Sequence, residues 1–133
     1  MIHSFSASYA GHVVDDNLGF DGRAANDRWY SNDKLATVFD WSLDIAQHLD
    51  KLGYDEFWMA EHHFQPEGYE CIPNLLMLSL YLSTQTKRLK FGCGFNIAPM
   101  WHPLRLAEDF ATADILTKGR VIFTVQAPPE LDD

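Results

Sequence analysis

Three short apolar runs begin near Glu56, Leu89 and Val121, at intervals of about 32 residues, and helix-like segments fill the gaps between them. That interval is the length of one strand-helix unit in a parallel α/β fold. The first run, Phe57-Trp58-Met59-Ala60, fits a strand buried on both faces. The second covers residues 89–97, with Gly92 and Gly94 marking close approach of backbone or ligand, and the third covers residues 121–125. Residues 2–7 supply a short first strand before them. Four strands and three helices begin either a doubly wound sheet or an eight-fold barrel, and periodicity alone does not choose. A barrel typically needs about 250 residues. A chain of 133 would hold half of one.

The helices are legible in the spacing of apolar residues. Leu35, Val38, Phe39, Ser42, Ile45, Ala46, Leu49 and Leu52 recur at helical intervals, with Asp40, Asp44, Gln47 and Asp50 opposite them and Gly53 as the stop. Pro73 suits the first position of a second helix, which is apolar nearly all round from Leu75 to Leu82 and therefore expected to be covered by neighbours. Pro103 opens a third, with a stripe of Leu104, Ala107, Ala111 and Ile115 and an end at Gly119. The polar, Gly- and Asp-rich stretch from Gly11 to Asp33 has no sustained period and reads as the body of a long loop over residues 9–33.

The charge balance, 19 acidic against 10 basic side chains, repels phosphate backbones and anionic lipid alike, so nucleic acid and membrane surfaces are not expected partners. The N-terminus lacks the basic-then-apolar pattern of a signal peptide, and no apolar run approaches the roughly 20 residues of a membrane span. A cytoplasmic location is expected. Cys71 and Cys93 have no paired metal spacing.

Polar residues just past the C-terminal ends of barrel strands line the mouth where the strand-to-helix loops converge. Glu61-His62-His63-Phe64 stands at that point after the second strand. An imidazole exchanges protons near neutral pH with little perturbation, so one of the pair is a candidate general base. The same rings serve as well to bond backbone or cap the next element. A metal centre is a third option, weakened because adjacent side chains on extended backbone point to opposite faces and no His-x-x-x-His spacing is present. After the third strand, Gly92 and Gly94 strip side chains from one face, which lets a flat ring lie on the backbone or simply permits a tight bend. His102 either offers the following helix N-terminus to an anion or only caps it. Arg105 and Asp109, four apart, are expected to pair on one helix face. The first strand-to-helix turn carries no Gly-x-Gly-x-x-Gly, which counts against dinucleotide binding.

Two long segments resemble the bacterial-luciferase-like flavin-dependent monooxygenases. One is Gly53-Tyr54-Asp55-x-Phe57-Trp58-x-Ala60-Glu61-His62-His63-Phe64. The other is Ile97-x-Pro99-x-x-His102-Pro103-x-Arg105-x-Ala107-Glu108-Asp109, followed by Asp114-x-Leu116-x-x-Gly119-Arg120. The resemblance implies an eight-stranded (β/α)8 TIM barrel, usually dimeric, of which this chain is the N-terminal half with about four parallel strands and three helices. It implies His62 as the catalytic residue, with Glu61 and His63 lining the flavin pocket. It also implies that Gly94, Phe95 and Asn96 form the cofactor seat, with a non-prolyl cis peptide at Gly94-Phe95. The implied reaction is that of an oxidoreductase using reduced FMN from a separate flavin reductase, or a deazaflavin, and O2 to oxygenate an aldehyde or other small organic substrate. No metal is implied.

One departure stands out. Where the family continues after Phe123 with a glycine-rich, phosphate-holding turn, this sequence has Thr124-Val125-Gln126-Ala127-Pro128 and ends at Asp133. Residues 1–133 are thus expected to be a single partial domain, truncated or frame-shifted, whose tail over residues 124–133 departs from the family. Weak activity alone is expected of it. The other readings are a non-catalytic half barrel that self-associates or binds a partner, and a zinc hydrolase built on Glu61, His62 and His63.

Overall fold

The structure, a computed structural model, describes residues 2–15 and 27–124. Strand β1 (Ser6–Tyr9) leads through a long connection to helix α1 (Asn32–Leu52). Ser31 starts that helix by accepting a hydrogen bond from the Lys34 amide, leaving one fewer orphan donor in the first turn. Gly53 ends it in the left-handed region at φ 90°, where only glycine sits without strain, and donates its N–H to the Leu49 carbonyl. The buried stripe is Val38, Ser42, Ala46 and Leu49. Ser42 tolerates burial because its hydroxyl donates to the Val38 carbonyl at 2.7 Å. Phe39 and Leu52, expected on the inner face, lie at its margin and are exposed.

Strand β2 (Glu56–Met59), helix α2 (Leu75–Gln85), strand β3 (Lys90–Cys93), a short 3-10 turn (Ala98–Met100), helix α3 (Pro103–Thr117) and strand β4 (Val121–Ile122) follow. Strands β3 and β4 are shorter than their apolar runs, and β3 stops where the Gly94–Phe95 peptide turns cis, as the resemblance implied. Val125 lies outside the described residues. Asn74, not Pro73, opens α2, its side chain accepting the Met77 amide at 2.9 Å. Proline then precedes the cap, where it rigidifies the entry. Helix α2 buries Leu75, Leu76, Leu78 and Leu82 but leaves Met77 and Tyr81 exposed, so its cover is partial.

Helix α3 does begin at Pro103, but the face it buries is Leu106, Ala113 and Thr117, with Phe110 half-buried. The expected stripe points outward: Leu104 is 62% exposed and Ile115 76%. Both sets of positions satisfy a helical period, so spacing could not separate them. Thr117 wins an inward position because its hydroxyl donates to the Ala113 carbonyl at 2.7 Å, and Phe110 anchors the same face edge-on to Phe123.

The four strands are parallel and lie in the order β1-β2-β3-β4, Phe57 opposite Phe91 and Met59 opposite Cys93. This sequential order never reverses among the described strands, which is the winding of a barrel and not of a doubly wound sheet. Alternate residues face opposite sides. Ala7, Tyr9, Phe57, Met59, Phe91 and Cys93 belong to the core built with α1 and α2. Ser6, Ser8, Glu56, Trp58, Lys90 and Gly92 therefore form the concave face, and β2 is buried on one side only. No described helix is long and apolar enough to cross a membrane.

Candidate functional site

The concave face is organised around one carboxylate. Glu56 accepts hydrogen bonds from the Ser6 hydroxyl and the Trp58 indole N–H, both at 2.9 Å, and so pins the indole over the sheet. The space above Gly92 is where that indole rests: a Cβ on Gly92 would lie 2.3 Å from it. A flat ring does lie on the glycine-cleared face, but at Gly92 it is the protein's own. The open ground is one step further, at Gly94, where a hollow of about 220 Å³ is floored by Ser8, Ala10, Trp58, Ala60 and Gly94.

Parallel pairing brings the ends of β2 and β3 to one rim. The Gly94 amide donates to the Met59 carbonyl at 2.8 Å, and His62 follows Met59 by three residues. The loop carrying His62 and the turn at Gly94 thus leave neighbouring strand ends, and the two residues line separate hollows. That of His62 is a cleft of about 520 Å³ walled by Trp29, Leu35, Phe64, Pro66 and Pro73, with His63 beside it. Phe64 stands with φ 58°, a backbone region bulky residues seldom adopt, and its ring is 93% exposed at the cleft mouth.

The two histidines have separate partners. Glu61 is buried and bonds His63 Nε2 through Oε1 at 3.0 Å, while its Oε2 finds no partner among the described residues. His62 meets the Glu70 carboxylate through Nε2 and the Gln65 side-chain amide through Nδ1. No cluster of three or more His, Cys, Asp or Glu among the described residues has metal-holding geometry. Asn96 is fully buried and does not open onto the hollow: its backbone N–H and its Nδ2 both donate to the Thr124 carbonyl, at 3.2 and 2.9 Å, fastening the turn after Gly94-Phe95 to the chain beyond β4. Phe95 is 53% exposed. His102 occupies the cap position of α3 without a side-chain cap bond, and Arg105 pairs with Asp109 at 2.7 Å and with Glu108 at 2.9 Å on the surface.

Gln65, Glu70 and Trp58 are the members that sequence reasoning missed. Pro66-Glu67-Gly68 is a turn signature, and Gly68 at φ 78° takes it up. A reversal there returns residue 70 toward residue 62, which is the signal that could have found Glu70. The loop is held to the one after β1 by Val13 N–H to the Gly68 carbonyl at 2.8 Å and Cys71 N–H to the Gly11 carbonyl at 3.0 Å. In the core the Cys93 thiol is pushed up to about 11 by burial, with the Glu61 charge adding to the rise.

Comparison with known proteins points one way. A family model described as luciferase-like monooxygenase matches residues 17–127. Limonene 1,2-monooxygenase of Rhodococcus erythropolis is 34% identical over 122 residues, covering 91% of this chain and 31% of that protein. The oxygenase component of flavin-dependent trigonelline monooxygenase from Acinetobacter baylyi is 32% identical over 84 residues, covering 63% and 23%. Among solved structures, the oxygenating constituent of 3,6-diketocamphane monooxygenase from Pseudomonas putida, in complex with FMN, superposes with a TM-score of 0.71 at 24% identity, covering 96% of this chain and 30% of that one. The chain spans about a third or less of each of these relatives.

Proposed function

The chain belongs to the luciferase-like monooxygenase family, whose model covers residues 17–127, and we propose from that premise that it carries the flavin-facing rim of an FMN-dependent oxygenase. Its fold is the first half of a (β/α)8 barrel. The observation that carries the proposal is the pairing of strand ends: the Gly94 N–H to Met59 carbonyl bond sets the loop that carries His62 and the side-chain-free backbone at Gly94 at the same end of the sheet.

The residues present fit the ring end of a flavin. Ser8, Ala10, Ala60 and Gly94 are the small side chains a flat heterocycle needs beneath it, and the Trp58 indole offers a ring edge beside them. Gly94, Phe95 and Asn96 would form the seat, Asn96 by holding the turn to Thr124 and not by touching the ring. Glu61 and His63, bonded to each other, would line its flank. A bound reduced flavin supplies the electrons for attack on O2. His62 would take or give the proton of the reacting centre.

The substrate is proposed as an aldehyde or other small, largely apolar organic molecule, in keeping with the cleft walls of Trp29, Leu35 and Phe64. The names of the relatives, "oxygenase component" and "oxygenating constituent", support a separate reductase as the source of reduced flavin. Titration of the purified chain with oxidised FMN, and anaerobically with reduced FMN, is the direct test: saturable binding at micromolar flavin is expected, weakened by Gly94→Val. Absence of binding to either form would favour the second reading, a half barrel that self-associates without catalysis, for which the exposed Leu104, Ile115 and Leu116 on α3 speak.

A further inference from the structure

His62 is held at both ring nitrogens. Nε2 lies 2.5 Å from Glu70 Oε2, and Nδ1 lies 3.1 Å from Gln65 Nε2. The amide of Gln65 cannot be turned the other way, because its Oε1 accepts the Glu70 backbone N–H at 2.9 Å. Gln65 Nε2 therefore presents a hydrogen to Nδ1, and Nδ1 must present a lone pair. At the other nitrogen the ionised carboxylate of Glu70 only accepts, so Nε2 carries the hydrogen. The three bonds close a ring. Glu70 N–H donates to Gln65, Gln65 donates to His62, and His62 donates back to the side chain of Glu70. Every donor meets an acceptor in one direction only.

Taking His62 as the proton-transfer residue of the preceding reading, we propose that Glu70 and Gln65 are its positioning residues. They hold the imidazole as the neutral Nε2–H tautomer, so that Nδ1 is the atom that accepts a proton. Glu70 reaches its place through the reversal at Gly68, whose N–H donates to the Gln65 carbonyl at 3.1 Å. The carboxylate is 17% exposed and the imidazole 41%, so the pair is shielded on the Glu70 side and open to the cleft on the other. A second tautomer would set hydrogen against hydrogen at Gln65 and lone pair against carboxylate at Glu70.

Imidazole nitrogen NMR on the whole chain labelled with 15N-histidine reads this directly, the His62 signals being assigned by their loss in His62→Asn. The native chain near neutral pH should show Nε2–H in at least about tenfold excess over Nδ1–H, as hydrogen bonds to charged groups would impose. Glu70→Ala should reduce that excess, with Gln65 alone still favouring a lone pair on Nδ1, and the conservative Glu70→Gln, which still accepts, should restore it. Gln65→Glu, which accepts but does not donate, should bring a hydrogen onto Nδ1. It decides the matter should Glu70→Ala not fold. A native Nδ1–H tautomer, or a pattern unmoved by both Glu70→Ala and Gln65→Glu, overturns the proposal. No flavin enters the measurement, so failed FMN binding would leave this inference standing, and the wrong tautomer would leave FMN binding untouched.

Discussion

The indole of Trp58 occupies the space that a side chain on Gly92 would need: a Cβ built there meets the ring at 2.3, 2.4 and 2.7 Å. The two residues face each other across the β2-β3 pairing, and Glu56 keeps the indole from moving aside. Packing of the concave face beneath the candidate flavin hollow depends on that one missing methyl group.

Gly92→Ala is therefore expected to destabilise the fold by about 1–3 kcal/mol, the range for overpacking a filled space. It should also shift the tryptophan fluorescence as the Trp58 bond to Glu56 at 2.9 Å is displaced. Chemical denaturation together with emission spectra checks both. A variant as stable as the parent with unchanged emission would show that the indole is not fixed.

Asp50 joins the end of α1 to the start of β3. Its Oδ1 accepts the amides of Arg88 and Leu89 at 3.0 and 2.9 Å, and its Oδ2 accepts that of Lys87 at 3.0 Å. Burial alone would raise its pKa, but these three amides and the Arg88 charge outweigh it and hold the carboxyl below the usual 3.8. A folded pKa below the unfolded one stabilises the fold above the unfolded value, and the contribution is lost as pH falls through the lower one. Asp50→Asn is expected to cost about 1–3 kcal/mol at neutral pH. The gap between parent and variant in urea unfolding should stay level from about pH 5 to 8 and narrow below about 4.

The thiols make a third test. Thiolate is the reactive form, and with Cys93 at about 11 only about a thousandth of it is ionised at pH 8. Cys71 is raised as well, first by burial and then by the charges of Glu67 and Glu70. In folded protein at pH 8, a thiol reagent should modify Cys71 slowly and Cys93 only after denaturant is added, so that one equivalent appears early and the second on unfolding. Two fast equivalents would mean that the sheet opens readily at β3.

The strand-helix order and the parallel pairing were legible in the sequence because a recurring interval of about 32 residues leaves few other folds. The rim position of Glu61-His62-His63 was legible for the same reason: it follows from where a strand ends. Which face of α3 turns inward was not, since Leu104/Ile115 and Leu106/Thr117 both keep helical period, and only the neighbour against which the helix packs separates them. Nor could spacing show that Asn96 fastens a turn from a buried position, because its partner, Thr124, is 28 residues away.

Local chemistry along the chain, meaning caps, glycines and apolar periods, was sufficient to determine the order and kind of the elements, though not every residue at their ends. Tertiary structure decided which of those residues meet. Glu70 comes to His62, and the Trp58 ring to Gly92, through a loop reversal and a strand register. Such contacts are set by the directions of whole backbone segments, which residue spacing alone does not encode.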